Sequence, residues 1–276
     1  MKRIRIHRKK FKRFLKVLRL CMLAVFLISA FFLGRTLLGY YKNHSRYEAA
    51  ALEMVTPITP TPGPAITPEP AELTPTPGPT PPISVDFEAL KDESTHVKGW
   101  IYSPDTPINY PVMQYKNNDY YLTHAYDGSN DKGGAIFLDC RTTDSMIDQH
   151  LIIYGHHMKN RSMFGSLMQY QKQDYYTSHP VLYLITPEKS YEIQVFAART
   201  TDSDPELFPT WFASEGAREN YYGRARAQST IQTEVGYNKE AQLVSLVTCS
   251  YYDGYEDAKF QVHGWLVPLG TTQGAN

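Results

Sequence analysis

A proline-rich segment divides the chain and restricts where a folded domain can form. Residues 56–82 read TPITPTPGPAITPEPAELTPTPGPTPP, with eleven prolines in 27 positions and no periodic apolar face. Such a composition cannot supply a packed core. An extended polyproline chain rises about 3.1 Å per residue, so this segment could reach roughly 80 Å. The sequence therefore predicts a linker, with the folded domain on its C-terminal side.

The basic residues are concentrated at the N-terminus. Residues 1–19 contain ten Lys and Arg and no acid, which leaves 18 basic and 28 acidic residues elsewhere, a net charge of about −10 (18 − 28). This balance excludes nucleic acid as a partner of the main body. An uncharged apolar stretch, residues 20–34, follows the basic arm, and Arg35 and two tyrosines suit a membrane interface.

These features predict four regions. They are a cytoplasmic basic arm (1–19), a membrane anchor (20–41), an extracellular Pro/Thr-rich linker (42–82) and an extracellular domain (83–276). A cleaved signal peptide is the alternative, with the alanines at 49–51 as the cleavage site. The retained anchor is favoured because those alanines lie far from the apolar stretch.

Three cysteines fit an exported protein that does not depend on disulfides. Cys21 lies in the apolar stretch, which leaves Cys140 and Cys249. The two could pair, but a domain of this size does not need one bridge for stability. Two separate thiols are therefore the preferred interpretation.

Short apolar or β-branched segments recur after the linker, separated by turn formers such as SPDTP, DGSNDKGG and TPEKS. Helical patterns are fewer: a short one starting near Asp86, one at about 163–173 and one near 214–229. This pattern predicts a mostly β, closed or nearly closed barrel. The predicted strands are 99–102, 109–114, 135–138, 150–154, 181–185, 191–198, 243–248 and 259–267.

Two strand ends carry groups suited to nucleophilic catalysis. The run LVSLVT delivers Cys249, and LIIYG delivers His156 and His157. A thiolate is a strong nucleophile, and an imidazole can exchange protons with the reacting groups. The alternatives are a small core cysteine and a surface histidine pair. Neither metal-ligand spacing nor a phosphate-binding glycine loop is present, so no metal or cofactor is expected.

Together these stretches resemble the sortase family, and class B in particular. The matching motifs are YGHHM (154–158) with MFGSL (163–167), SLVTC (245–249), INYPVMQYKNNDYYL (108–122) and GGAIFLD (133–139). The resemblance implies an eight-stranded sortase-type barrel with a few short helices. One of these helices should lie in the insert before the cysteine strand.

The resemblance also implies a cysteine transpeptidase. Cys249 would attack a threonine carbonyl in the C-terminal sorting motif of a surface protein and form a thioacyl-enzyme. An amine from peptidoglycan or a pilin would then take the acyl group, with His156 transferring protons. Asn118, Leu122 and Tyr154 match or adjoin residues that line the family's substrate groove, with ordinary packing as the alternative. His157 is assigned no catalytic role.

The chain departs from the family at the third catalytic position. Lys259 stands where relatives carry Arg, and no Arg follows Cys249. Lys offers one compact charge in place of a planar fork, so Lys259 either substitutes for Arg or leaves the role to Arg141, Arg161 or Arg199. Val247 also replaces a serine common in class B relatives.

Four other functions compete with the transpeptidase. A papain-like peptidase places its cysteine before its histidine, and an L,D-transpeptidase carries a Ser-His-Gly-Cys run; neither fits here. A purely structural anchor would need no Cys–His pair. The strongest alternative is a catalytically weakened sortase-like protein that binds sorting motifs, and Lys259 and Val247 favour it.

Overall fold

A computed structural model describes residues 2–58, 80–202, 207–249 and 258–270. Side chains are described for these ranges except at residues 2–10, 12 and 249. The chain divides into two compact units, with the second beginning at Arg46.

Eight strands of the second unit close into a barrel. They are β3 (Val97–Tyr102), β4 (Asn109–Met113), β5 (Ile136–Leu138), β6 (His150–Tyr154), β7 (Val181–Ile185), β8 (Ser190–Thr201), β9 (Gln242–Cys249) and β10 (Lys259–Pro268). Their order around the barrel is β10-β8-β7-β3-β4-β5-β6-β9, and β9 pairs with β10 to complete the closure. Two neighbouring pairs, β4–β5 and β6–β9, are parallel, and the others are antiparallel. The predicted barrel is confirmed, and all eight predicted strands are present.

The predicted helical segments are helical in the structure. α2 (Phe87–Glu93) begins after Asp86, whose carboxylate accepts hydrogen bonds from the Glu88 and Ala89 N–H groups. A 3₁₀ helix (Phe164–Gln171) leads into α3 (Gln173–Ser178). α4 (Glu215–Ala227) lies in the insert before β9, as predicted, and Ser214 caps its N-terminus.

The barrel strands are apolar on both faces because both faces are covered. Alternate residues of β9, such as Val244 and Leu246, belong to the main core inside the barrel. Leu243 belongs to a second cluster, in which Trp265 and Phe196 pack against Tyr222 of α4. The insert that contains α4 therefore shields this outer part of the wall.

The first unit contains most of a single long helix. α1 spans Lys2–Met54, and its apolar residues, such as Phe26 and Phe31, are exposed. Within the described residues it is the one helix long and apolar enough to cross a membrane. This is compatible with the predicted anchor.

The residues of the second unit that precede the proline-rich segment pack with the barrel. Tyr47, Ala50 and Met54 are buried in its main core. β1 (Val55–Pro57) pairs with β2 (Ile83–Val85), and the Ile58 N–H donates to the Pro82 carbonyl at 2.8 Å. The domain thus extends N-terminally of residue 83. The β1–β2 pair holds the two ends of the proline-rich segment side by side, so Ile58 and Pro82 are neighbours whatever the length of the segment.

A buried hydrogen-bond chain crosses three barrel strands on the face covered by α4. His150 Nδ1 donates to the Pro209 carbonyl at 2.6 Å, so its Nε2 accepts a bond from the Ser245 hydroxyl at 2.7 Å. The same hydroxyl oxygen accepts a bond from His263 Nδ1 at 2.6 Å. This arrangement requires a neutral imidazole at His150, because its Nε2 accepts a hydrogen bond. Burial lowers the pKa of His150 to about 3 and lowers that of His263 well below its ordinary value.

The two neutral histidines predict that the fold weakens in mild acid. Their pKa values are lower in the folded chain than in the unfolded chain, where histidine titrates near 6.5. As pH falls below about 6.5, these histidines bind protons in the unfolded chain but not in the folded chain. The free energy of unfolding therefore falls by about 2 kcal/mol per histidine by pH 5. Denaturant unfolding between pH 7 and 5 measures this loss. The pH slope should be about half as steep in His263→Gln, and an unchanged slope would contradict the assignment.

Because β1 and β2 hold the two ends of the proline-rich segment together, we expect the fold to tolerate shortening of this segment. Replacing residues 59–81 with a four-residue Gly/Asn/Ser loop should stabilise the β1–β2 pair by about 1–2 kcal/mol, because a shorter loop costs less entropy to close. Hydrogen exchange at Ile58 and Ser84 measures this change. A Gly/Ser loop of the original length is the control. Faster exchange in the shortened chain would show that the two strands are not held together.

Candidate active site

Strand pairing places the three predicted catalytic residues, His156, Cys249 and Lys259, at the same level along the barrel axis. Leu243 of β9 pairs with His150 of the parallel strand β6, an offset of 93 (243 − 150). The same offset links Cys249 to His156 (249 − 156), and the Gly155 N–H continues the ladder by donating to the Val247 carbonyl at 3.0 Å. On the other side of β9, Lys259 of β10 pairs with Cys249. Three neighbouring strands thus present them at one end of the barrel, although the Cys249 side chain lies outside the described residues.

A backbone carbonyl determines the protonation of His156. Its Nε2 lies 2.6 Å from the Leu122 carbonyl oxygen, which can only accept a hydrogen bond. Nε2 therefore carries the proton and donates. Because one nitrogen is committed in this way, Nδ1 is the nitrogen left to exchange protons with a substrate.

Glycine at position 134 makes room for this imidazole. Gly134 has φ +59°, and a Cβ there would overlap the Tyr121 carbonyl and lie 3.1 Å from His156 Cδ2. The next residue, Ala135, donates its N–H to the Tyr121 carbonyl at 2.9 Å. The turn before β5 thus packs directly on the histidine ring.

The loop after His156 has strained backbone. Met163 is fully buried with φ 52°, a conformation that is costly for a residue with a side chain. Its N–H donates to the Tyr110 hydroxyl at 3.0 Å, and it forms an isolated β-bridge with His157. The Phe164 N–H donates to the His156 carbonyl at 3.1 Å. His157 therefore belongs to the backbone support of this loop.

The arginines that could replace the missing family Arg are differently placed. Arg199 is buried and donates to the Gln261 and Gln228 side chains. Arg141 makes two hydrogen bonds to the Asp139 carboxylate, each of 2.8 Å. Arg161 is exposed on the loop after His156. Of the candidate cations, Lys259 is the one whose backbone pairs with Cys249.

The three predicted groove residues have different environments. Leu122 is 39% exposed beside His156, as a substrate-contacting side chain would be. Asn118 instead accepts from the Cys140 N–H at 2.8 Å and donates to Asp139. The Tyr154 hydroxyl donates to Asp139 at 3.1 Å. In these contacts Asn118 and Tyr154 support the structure around Asp139.

Asp139 remains an acceptor for these groups because it stays ionised. Burial acts to raise the pKa of Asp139, but the hydrogen bonds and charge of Arg141 outweigh it and hold the pKa below its ordinary value. Burial and the Asp139 carboxylate raise the pKa of Tyr154 well above its ordinary value. The phenol is therefore neutral and donates.

Cys140 lies away from the strand ends that form the site. The Asp139 N–H donates to the Ile152 carbonyl, and Ile152 is level with Ser245, four residues before Cys249. At about 3.3 Å per residue this is roughly 13 Å along the strand, beyond the Cα separation of about 7 Å that a disulfide spans. Cys140 is a free thiol, as preferred from the sequence.

Val247 is part of the apolar packing next to the site. It is buried with Ile152 and Phe208, and it pairs with Tyr154 of β6. The valine thus fills a position where a serine hydroxyl would need a hydrogen-bond partner.

Residues that the sequence did not single out also support the site. Gly134 and Tyr110 hold the loops around His156, and Ser245 joins the strands beneath it. Ser245 and His263 are polar interruptions in apolar strands, a signal that was available in the sequence. Within the ranges described, no group of three or more His, Cys, Asp or Glu side chains is arranged to hold a metal ion.

Comparison with known proteins agrees with this architecture. A sequence model of the Sortase domain matches residues 101–266. Sortase B of Listeria monocytogenes is 33% identical over 182 residues, which cover 66% of this chain and 74% of the relative. A Staphylococcus aureus sortase B–substrate complex has a TM-score of 0.62 at 27% identity, covering 66% of this chain and 84% of that one. Sortase B complexed with triglycine gives a TM-score of 0.62 at 27% identity, with 66% and 85% covered.

The matched region begins near the end of β3, contains β4 to β9 whole and ends within β10, and it includes His156, Cys249 and Lys259. The eight-stranded barrel, the helical insert before β9 and these matches lead to one conclusion: the chain belongs to the sortase family of cysteine transpeptidases, in class B.

Proposed function

We propose that this protein cleaves a C-terminal sorting motif after threonine and transfers the surface protein to an amine of peptidoglycan or of a pilin. The observation that carries the proposal is the shared level of His156, Cys249 and Lys259 on three neighbouring strands. α1 anchors the enzyme as a single-pass membrane protein. The ten basic residues before the apolar stretch keep its N-terminus in the cytoplasm and the barrel outside.

The first half-reaction forms the acyl-enzyme. The Cys249 thiolate attacks the threonine carbonyl carbon, and the oxygen of the tetrahedral intermediate becomes negatively charged. His156 donates the proton on Nδ1 to the leaving amine as the C–N bond breaks. The thioester that remains links Cys249 to the surface protein.

The second half-reaction releases the product. His156, now neutral, accepts a proton at Nδ1 from the incoming amine, which attacks the thioester carbonyl. The C–S bond breaks and the thiolate returns. The hydrogen bond from Nε2 to the Leu122 carbonyl holds the ring in one orientation through both steps.

Lys259 supplies positive charge in this scheme. Its ammonium group stabilises the oxyanion of each tetrahedral intermediate. Because this stabilisation acts mainly in the transition state and not in the bound substrate, it accelerates the reaction. No other candidate cation pairs with Cys249 among the described residues. Leu122, Asn118 and Tyr154 are proposed to line the groove for the sorting motif, with the exposed Leu122 in closest reach of His156.

Solved relatives support both classes of partner. Staphylococcus aureus sortase B has been solved as a complex with a substrate, and sortase B has been solved as a complex with triglycine. A peptide with a free amino group is the kind of acceptor that the second half-reaction needs.

Acyl transfer can be followed directly by mass spectrometry. The full-length protein in detergent micelles is incubated with threonine-containing sorting peptides and amine acceptors. We expect a thioacyl adduct on Cys249 that passes to the amine. Cys249→Ala should form no adduct, and His156→Gln should slow both steps because no group transfers the proton. Hydrolysis or ligation that persists in Cys249→Ala would contradict the proposal.

The same experiment separates the enzyme from a sorting-motif binder. Lys259 in place of arginine is the observation that favours the binder. A binder would retain peptides without an adduct, and Lys259→Arg alone would restore turnover. Adduct formation by the natural sequence favours the enzyme.

Removing the Lys259 charge should lower kcat/KM by about 10²- to 10³-fold, the usual effect of losing an oxyanion donor. Lys259→Met tests this. Lys259→Arg should retain or raise activity, because the planar guanidinium group can direct two N–H donors at the substrate oxygens. Lys189→Met is the matched control, since Lys189 is exposed on the β7–β8 turn at the opposite end of the barrel. Equal kcat/KM for Lys259→Met and the control would exclude the role.

A further inference from the structure

Residues 46–58, the docking segment, follow the apolar part of α1 and contact the turn before β5 and Tyr110 of β4, both of which support the surroundings of His156. None of the barrel strands lies in this segment, since the first of them begins at Val97. Besides its packing in the main core and the β1–β2 pair, the segment makes three contacts with residues that support His156.

The first contact is made by a tyrosine hydroxyl. Tyr47 is buried, and its hydroxyl donates to the Gly134 carbonyl at 2.7 Å. Gly134 is the residue whose missing side chain leaves space for the His156 ring. The hydrogen bond thus fixes the peptide that packs on the imidazole.

The second contact is an ion pair on the same turn. Arg46 Nη1 lies 2.5 Å from Asp131 Oδ2. The other oxygen of Asp131 accepts the Gly133 N–H at 2.8 Å, and the Asp131 carbonyl accepts the Gly134 N–H at 3.1 Å. Arg46 therefore holds the residue that shapes the turn in front of His156.

The third contact reaches the loop after β6 indirectly, through Tyr110 of β4. The Tyr47 ring meets the Tyr110 ring edge-to-face, with centroids 5.3 Å apart. The Tyr110 hydroxyl accepts the N–H of Met163, the residue with φ 52°. A strained conformation of this kind persists only where neighbours hold it, and Tyr110 is one of those neighbours.

We propose that Arg46 and Tyr47 are positioning residues for the transpeptidase reaction. They hold the turn before β5 against His156 and support Tyr110, which in turn holds the loop after β6, and so keep Nδ1 aligned with the end of β9. The residues next to the membrane segment in the chain are thereby part of the support of the active site. This proposal rests on the proton-transfer role of His156 in the proposed function.

The test uses full-length protein in detergent micelles. Tyr47→Phe removes one hydroxyl and keeps the ring, and it leaves a buried carbonyl without its donor. We expect kcat/KM to fall about tenfold, mainly through kcat, with a shift in the pH profile assigned to His156. Arg46→Gln should act in the same direction, and Arg46→Lys should recover part of the loss. Tyr41→Phe is the control, because Tyr41 is on the same helix and 69% exposed.

A second readout does not depend on turnover. In protein with ¹³C-labelled histidine rings, His156→Gln identifies the His156 resonance. We expect Tyr47→Phe to move that resonance and its titration midpoint, and Tyr41→Phe to leave both in place. An unmoved His156 resonance and midpoint in Tyr47→Phe and Arg46→Gln would overturn the proposal.

The two readouts separate this proposal from the proposed function. If the natural protein forms no Cys249 adduct with any peptide but the His156 resonance responds to Tyr47→Phe, the proposed function fails and the positioning contact stands. If the natural protein turns over and both variants only lower the midpoint of thermal unfolding, the contact is purely structural and the proposal fails.

Discussion

The hydroxyl of Ser245 lies between two imidazoles, and the alignment of the reacting residues depends on it. It joins β9 to His150 on β6 and to His263 on β10. These are the strands that end near His156, Cys249 and Lys259. A slip of one residue between paired strands moves every side chain to the other face. Ser245 can make these hydrogen bonds in one strand register only. It therefore fixes the relative positions of the catalytic residues along the barrel as well as the pairing of the strands.

Burial makes this register specific and also makes it costly to disturb. Ser245, His150 and His263 are fully shielded by the insert that contains α4. An unpaired polar group at this depth would lose hydrogen bonds that water cannot replace. The insert before β9 thus has a role beyond covering apolar surface: it keeps water away from the side-chain hydrogen bonds that join the three strands at Ser245.

The strands and the catalytic level could be predicted because they depend on local pattern. Runs such as 150–154 and 243–248 are apolar or β-branched and end at turn formers, so the positions of these strands can be predicted from the sequence. The docking segment could not be predicted in this way. Tyr47 donates to a carbonyl 87 residues away, and no local pattern encodes that partner. Similarly, Asn118 and Tyr154 match groove positions by sequence, whereas their contacts with Asp139 depend on how the loops fold.

The pairing of β1 with β2 has a mechanical consequence. It closes residues 59–81 into a loop, so a pull between α1 and the barrel is first carried by the β1–β2 hydrogen bonds and the buried side chains of the docking segment. If these contacts part, the 23 residues enclosed by Ile58 and Pro82 (81 − 58) enter the load path. At about 3.3 Å per residue they add roughly 75 Å of contour length. Separation of β1 from β2 under tension would therefore lengthen the connection between α1 and the barrel, and loss of the docking contacts would also free the turn that Tyr47 holds against His156.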